Sequence, residues 1–313
     1  MNKFKIVHLS FIISSLLIIF SCEKEDSSGK NEGVSNLLVT ALVIDSDNIF
    51  WIGTQKGLFK FDGTNWKNYT SEDGLVNDTI NTLMLDKTGN LWIGSPKGIS
   101  RLKNENWSNF TTQEGLFNND IRCLACDWQN NIWIGSRNNR LTKYDGNTFT
   151  HFHINPVASG PGEMGHIHTI TCDREGIVWI GSCISGLSKF DGTTFSDNIN
   201  DLNYFVNTSI CSSNGDVWIG HYTGAYKISD GTWTKYSTDN GLVNNSVYAI
   251  SEDLTAKIWV TSENGISVFN GSTWTNYLPE LDFNLKNISC IACDSNGNIW
   301  IGGQNGIEKL KLK

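Results

Sequence analysis

Four of the six histidines of this chain fall within eighteen residues, as His151-x-His153 and His166-x-His168, with Glu163 between the pairs. Residues two apart on a strand share a face, so each pair can present two imidazoles together. Two imidazoles and a carboxylate can hold a divalent metal or serve as an acid/base pair. A second group is Arg122, Arg137, Arg140, His221, Tyr222 and Tyr248. Guanidinium forks bind carboxylates and aromatic rings stack on pyranose faces, which suits an acidic sugar. The metal reading therefore rests on His151, His153, Glu163, His166 and His168. Ligand contact rests on the second group together with His166 and His168. Ligand contact is preferred, no cofactor is expected, and no residue is assigned a catalytic role.

Cys123-x-x-Cys126 and Cys290-x-x-Cys293 have the look of metal or redox pairs. Two observations weaken that reading. Residues three apart on a strand point to opposite faces. Cysteine also alternates with small or apolar residues at equivalent places: Ile44, Leu85, Cys126, Cys172, Cys211 and Cys293 each stand seven residues before a tryptophan. These cysteines behave as small buried hydrophobes. Disulfides between units remain open in an exported protein.

The elements that must position these groups are set by a repeat. Trp51, Trp92, Trp133, Trp179, Trp218, Trp259 and Trp300 lie 41, 41, 46, 39, 41 and 41 residues apart. A period near 40 marks units that cannot bury their apolar faces alone. In the second unit 79–85 reads as a first strand, followed by an Asp86–Asn90 turn. Leu91–Gly94 and Ile99–Leu102 are the next two strands, and Trp107–Phe110 is the fourth. Four short antiparallel strands repeated seven times predict an all-β, seven-bladed β-propeller. The last unit has no fourth strand of its own, so a three-stranded last blade is expected, with Lys309, Lys311 and Lys313 along its edge. Strict recurrence assigns the seven tryptophans to packing between blades, away from any ligand. Asn77, Asn118, Asn203 and Asn244 recur fifteen residues before their tryptophans and are expected to cap loops. The 46-residue interval places about five extra residues in the loop leading into unit four.

The pattern Asp-x-x-Gly-Asn-(apolar)-Trp-Ile-Gly, with Asp-Gly-x-x-Trp-x-x-Tyr and Gly-Leu-x-x-Asn, resembles the two-component regulator propeller repeat over nearly the whole chain after residue 36. Departures are Val260-Thr261 for Ile-Gly, Ser212 for the turn Asp, and Asn139-Arg140 at the third strand. The resemblance implies a sensor-type propeller, found in that family on glycan-responsive kinases, and so implies ligand recognition. No kinase signalling part is visible.

Residues 1–21 read as a lipoprotein signal peptide: a basic start, an apolar run from Ile6 to Phe20, and then Cys22. Ile19-Phe20-Ser21-Cys22 resembles the bacterial lipobox, which implies lipidation of Cys22 and membrane attachment through that lipid. Residues 22–35 read as a flexible tether and 36–313 as the propeller. Lys24-Glu25-Asp26 resembles the export signal of Bacteroidetes surface lipoproteins. The implied location is the outer membrane, on its periplasmic or its outer face. A formal net charge of −8 argues against nucleic acid as a partner.

The leading reading is a lipid-anchored, non-enzymatic binding or scaffold module for a glycan or a protein partner. The alternative is a propeller lyase with a His/Glu metal site between residues 151 and 168. Streptogramin-type lyases are similar in carrying Trp-bearing repeats of this kind.

Overall fold

The computed structural model describes residues 33–154, 165–197, 199–263, 265–277 and 288–310. Cys22 with its leader, Glu163, Lys311 and Lys313 lie outside them. The described residues form seven sheets, six of four antiparallel strands and one of three, each in simple up-and-down order. The chain is a seven-bladed propeller whose last blade, Cys290–Cys293, Ile299–Gly303 and Gly306–Lys309, has three strands. No helix among the described residues is long and apolar enough to cross a membrane.

The turn after each first strand shows how the repeat builds a blade. The residue expected there in a left-handed conformation has positive φ in all seven blades: Asn48, Gly89, Asn130, Gly176, Gly215, Ala256 and Gly297. Glycine adopts it freely and asparagine tolerates it, whereas Ala256 does so against its own preference. The turn aspartate then reaches inward. Asp86 accepts from the backbone of Thr88 and Asn90, and its second oxygen takes the Trp92 indole N–H at 2.9 Å. The same indole-to-carboxylate bond recurs from Trp51, Trp133, Trp179, Trp259 and Trp300. In the fifth blade Ser212 stands in the aspartate's place and bonds Asn214 and the Asp216 carbonyl instead. A buried indole needs an acceptor, so Asp and Trp six residues apart are one device.

The core is not central. It consists of seven apolar clusters, each shared by two neighbouring blades. The repeated tryptophans pack across these seams: Trp92 against Tyr144, Trp133 against Phe190, Trp218 against Phe269, and Trp300 edge-on to Phe50 at 4.8 Å. The glycine of Trp-Ile-Gly has a steric reason. A Cβ on Gly94 would stand 2.5 Å from Thr82 and 2.8 Å from Ile121 of the next blade. Thr261 replaces that glycine in blade six, opposite the small Ala249, whose backbone it bonds.

Each first strand lies against the first strands of both neighbouring blades, and that of blade seven lies against that of blade one. The ring therefore closes on its innermost strands. Ser289 donates to the Val39 carbonyl across the closing seam, and Asn48 accepts from Ser295. Residues 33–35, which composition places in the tether, belong to the domain. Val34 is fully buried in the closing seam, and Gly33 sits against the Trp66 ring where Gly74 sits against Trp107 one blade later.

Candidate functional site

Eleven residues before each repeated tryptophan the first strands carry Thr40, Asn81, Arg122, His168, Asn207, Tyr248 and Ser289. In five blades the strand register shifts at this residue, a bulge that turns one side chain out of the ladder. Thr40, Asn81, Arg122 and His168, from four successive blades, line one cavity of about 190 Å³ together with His166. Innermost strands of four blades can share a cavity only beside the ring axis, so this is the mouth of the central channel.

Four of the seven residues make a belt. Thr40 donates to the Ile80 carbonyl, Asn81 to Ile121, Asn207 to Val247 and Ser289 to Val39, each reaching the next blade. Arg122, His168 and Tyr248 break it. In blade three the thiol of Cys123 reaches the Ile167 carbonyl at 3.6 Å in place of residue 122. Arg122 is thereby free for the cavity. Its Nη2 meets Asp120 at 2.9 Å, and Arg137 approaches the same oxygen at 3.8 Å. Arg122 Nε and Asp120 Oδ1 are buried without a hydrogen-bond partner. Two arginines around one carboxylate leave this wall net positive on a negatively charged chain.

His166 and His168 stack, with ring centroids 4.5 Å apart. Burial, then His166 and Arg122, hold His168 down to about 4. Burial and Arg122 also lower His166, against the opposing pull of Asp120. Both imidazoles are neutral near pH 7, the form that ligates metal or accepts a hydrogen bond. His166 Nδ1 lies 3.6 Å from Cys183 Sγ, and His166, His168 and Cys183 place one donor atom each within 4.8 Å of one another.

The loops that carry these groups are the irregular ones. Most hairpins between second and third strands have two connecting residues, as between Ser95 and Gly98. Blade three has three, between Ser136 and Arg140, and blade four has three, between Ser182 and Gly186. One of the extra residues expected before unit four thus sits in the blade-three hairpin. The two long hairpins and the loop into blade four converge. Arg137 bridges to His166, Cys183 N donates to the His166 carbonyl, and Asn139 bonds Ser182, Ser185 and the Gly165 carbonyl.

The two His-x-His pairs are not brought together. His166 and His168 lie at the innermost strand of blade four, Ile167–Cys172, and His151 and His153 on the outermost strand of blade three, Phe149–His153. There both rings pack on Phe117, and His153 pairs with Arg140, whose guanidinium lies 4.4 Å from the Phe117 centroid. The separation follows from the fold, since consecutive blades join the outer edge of one to the inner edge of the next. His221 is buried and spends both ring nitrogens, on Thr223 and on the Tyr204 carbonyl. Asn77, Asn118 and Asn244 accept from the backbone two residues ahead, as loop caps.

Tyr222 and Tyr248 stand on the mouth face with two residues the sequence did not single out, Tyr204 and Phe205. The four are 39% to 55% exposed, and Phe205 meets Tyr222 edge-on. Tyr204 and Phe205 have φ of 66° and 44°, a costly conformation for bulky residues. Thr40, Asn81 and Cys183 were also missed. Alignment eleven places before the tryptophans would have found the first two; nothing in the sequence marks Cys183.

Three segments, 33–56, 74–97 and 282–305, match the family model of the two component regulator propeller. Those three segments fall in blades one, two and seven. The ring resembles the extracellular domains of two hybrid two component systems from B. thetaiotaomicron. For the first the TM-score is 0.71 at 24% identity, over 87% of this chain and 39% of that one. For the second it is 0.70 at 22% identity, over 89% and 38%. The chain thus spans about two fifths of the length of those domains. Virginiamycin B lyase from Staphylococcus aureus superposes with a TM-score of 0.71 at 15% identity, over 90% of this chain and 98% of that one. These likenesses establish a shared fold. A comparison with curated proteins found no match.

Proposed function

We propose that this regulator-propeller ring is a lipid-anchored, extracytoplasmic, sensor-like module that binds an acidic glycan at the mouth of its channel. The observation that carries the reading is the broken belt. Arg122 is released from the inter-blade role its counterparts play and lines a cavity with a positive wall. A carboxylate or sulfate in the cavity would form charge-assisted hydrogen bonds with a guanidinium on its wall. The exposed rings of Tyr204, Phe205, Tyr222 and Tyr248 supply stacking faces on the same side. Anchoring rests on Cys22 at the end of the apolar leader, and the location on that leader and on relatives described as extracellular domains. A protein partner of acidic surface is the competing occupant.

Calorimetric titration with uronate-bearing and neutral oligosaccharides tests the reading. Binding of the acidic series, weakened at least tenfold in Arg122→Ala and in Tyr248→Ala, is expected. Equal affinity for neutral and acidic sugars, or no effect of Arg122→Ala, would refute it. The lyase alternative drew on histidine pairs that this fold sets at opposite edges of two blades.

A further inference from the structure

We propose that His166, His168 and Cys183 form a three-ligand site for a borderline-soft divalent metal of the zinc class, with its remaining position toward the channel-mouth cavity. The ligand set draws on two loops that depart from the repeat, the one leading into blade four and the three-residue hairpin Cys183–Ser185, so it has no counterpart in other blades. One edge of the ligand set already has the spacing the chemistry needs. The three donor atoms lie within 4.8 Å of one another, so that the stacked imidazoles need only turn toward a common centre on binding. With Zn–N near 2.05 Å and Zn–S near 2.3 Å, a tetrahedral site requires an N···S edge of about 3.6 Å. His166 Nδ1 and Cys183 Sγ are 3.6 Å apart. Two imidazoles and one thiolate select zinc, cobalt, nickel or copper over magnesium or calcium, which prefer oxygen ligands.

The surroundings hold these donors in place. His166 N donates to Cys183 Sγ and Cys183 N to the His166 carbonyl, tying the two ligand loops to each other. Asn139, buried between the long hairpins, bonds Ser182 and Ser185 on either side of the cysteine. Such outer contacts orient ligands and typically contribute about 10–100-fold to metal affinity. Arg122 is the opposing charge, and Asp120 is paired to it. On binding, Cys183 loses its thiol proton to solvent, so metal, thiolate and two neutral imidazoles carry a net charge of +1. His166 and His168 also line the cavity, so an anion held by Arg122 would lie beside the metal. The site nevertheless stands without the glycan reading, because metal binding is measured without sugar.

The test is titration of Co²⁺ into the full-length, reduced chain without a polyhistidine tag. One equivalent should bind with sulfur-to-cobalt charge-transfer absorption in the near ultraviolet. Cys183→Ala should abolish that absorption, and Cys211→Ala should keep it. His168→Ala should weaken Co²⁺ by more than the roughly 10–100-fold typical of an outer contact. His168→Asn, with the side chain that Asn81 and Asn207 use in the belt, should show the same loss in a folded chain. Absence of the charge-transfer absorption in the wild type, or its survival in Cys183→Ala, would overturn the proposal.

Discussion

His168 should make the stability of this ring fall with acidification above the range where carboxylates act. Its pKa is held near 4 by burial, His166 and Arg122, against an ordinary value of 6.5. The unfolded chain therefore takes up a proton at higher pH than the folded one, so stability is full above about pH 6.5 and declines until about pH 4. A gap of about 2.5 units corresponds to roughly 3 kcal/mol over the whole window, of which about 2 kcal/mol has gone by pH 5. The groups facing the ring are His166, Arg122 and Cys183, with Asp120 and Arg137 behind them. His166 and His221 are also lowered, so the wild-type loss is larger than the share of His168 alone. The variant that isolates it is His168→Asn, which can also donate to the Val206 carbonyl as Asn207 does to Val247. Urea unfolding followed by tryptophan fluorescence, in chelator, from about pH 7.5 to about pH 5 should show wild type losing about 2 kcal/mol more than the variant. The turn aspartates do not interfere, because Asp86, Asp253 and Asp294 are held below the usual carboxylate range and act only at lower pH. Parallel pH profiles for wild type and His168→Asn would refute the argument.

Other perturbations follow from the same contacts. Asp86→Ala removes the acceptor of the Trp92 indole and of the Thr88 and Asn90 amides, and should cost about 3 kcal/mol, seen as a lower urea midpoint. Gly135→Ala would place a Cβ 2.4 Å from Cys123 Sγ and 2.8 Å from Ile167, beside Arg122 and His168. It should cost about 1–3 kcal/mol and weaken Co²⁺ and sugar binding together. Phe205→Gly relieves a bulky residue at φ 44° and should raise stability by about 1 kcal/mol while weakening the acidic sugar in calorimetry. His151→Ala and His153→Ala, on an outer strand, should leave Co²⁺ affinity within twofold of wild type.

The period of the tryptophans, the Asp six residues before them and the Gly two after them made the fold legible, because each is a local requirement copied into blade after blade. An indole needs an acceptor, a tight turn needs a left-handed residue, and a close seam excludes a Cβ. The three-stranded last blade was readable for the same reason. The domain start was not, because Gly33-Val34 carries the Gly-Leu seam signal in a stretch that is polar on average. The site was only half legible. Arg122, His168 and Tyr248 stood out by residue type, yet their shared position appears only when all seven strands are set in register at the bulge. Composition drew the two His-x-His pairs together since they are close in the chain. The chain leaves a blade at its outer edge and begins the next at the axis, so the tertiary structure separates them. It replaces His151 and His153 with Cys183, brought to His166 by a hairpin one residue longer than most. A repeat sequence determines what every blade shares; which departures meet depends on how the blades are arranged around the axis, and only the closed ring decides that.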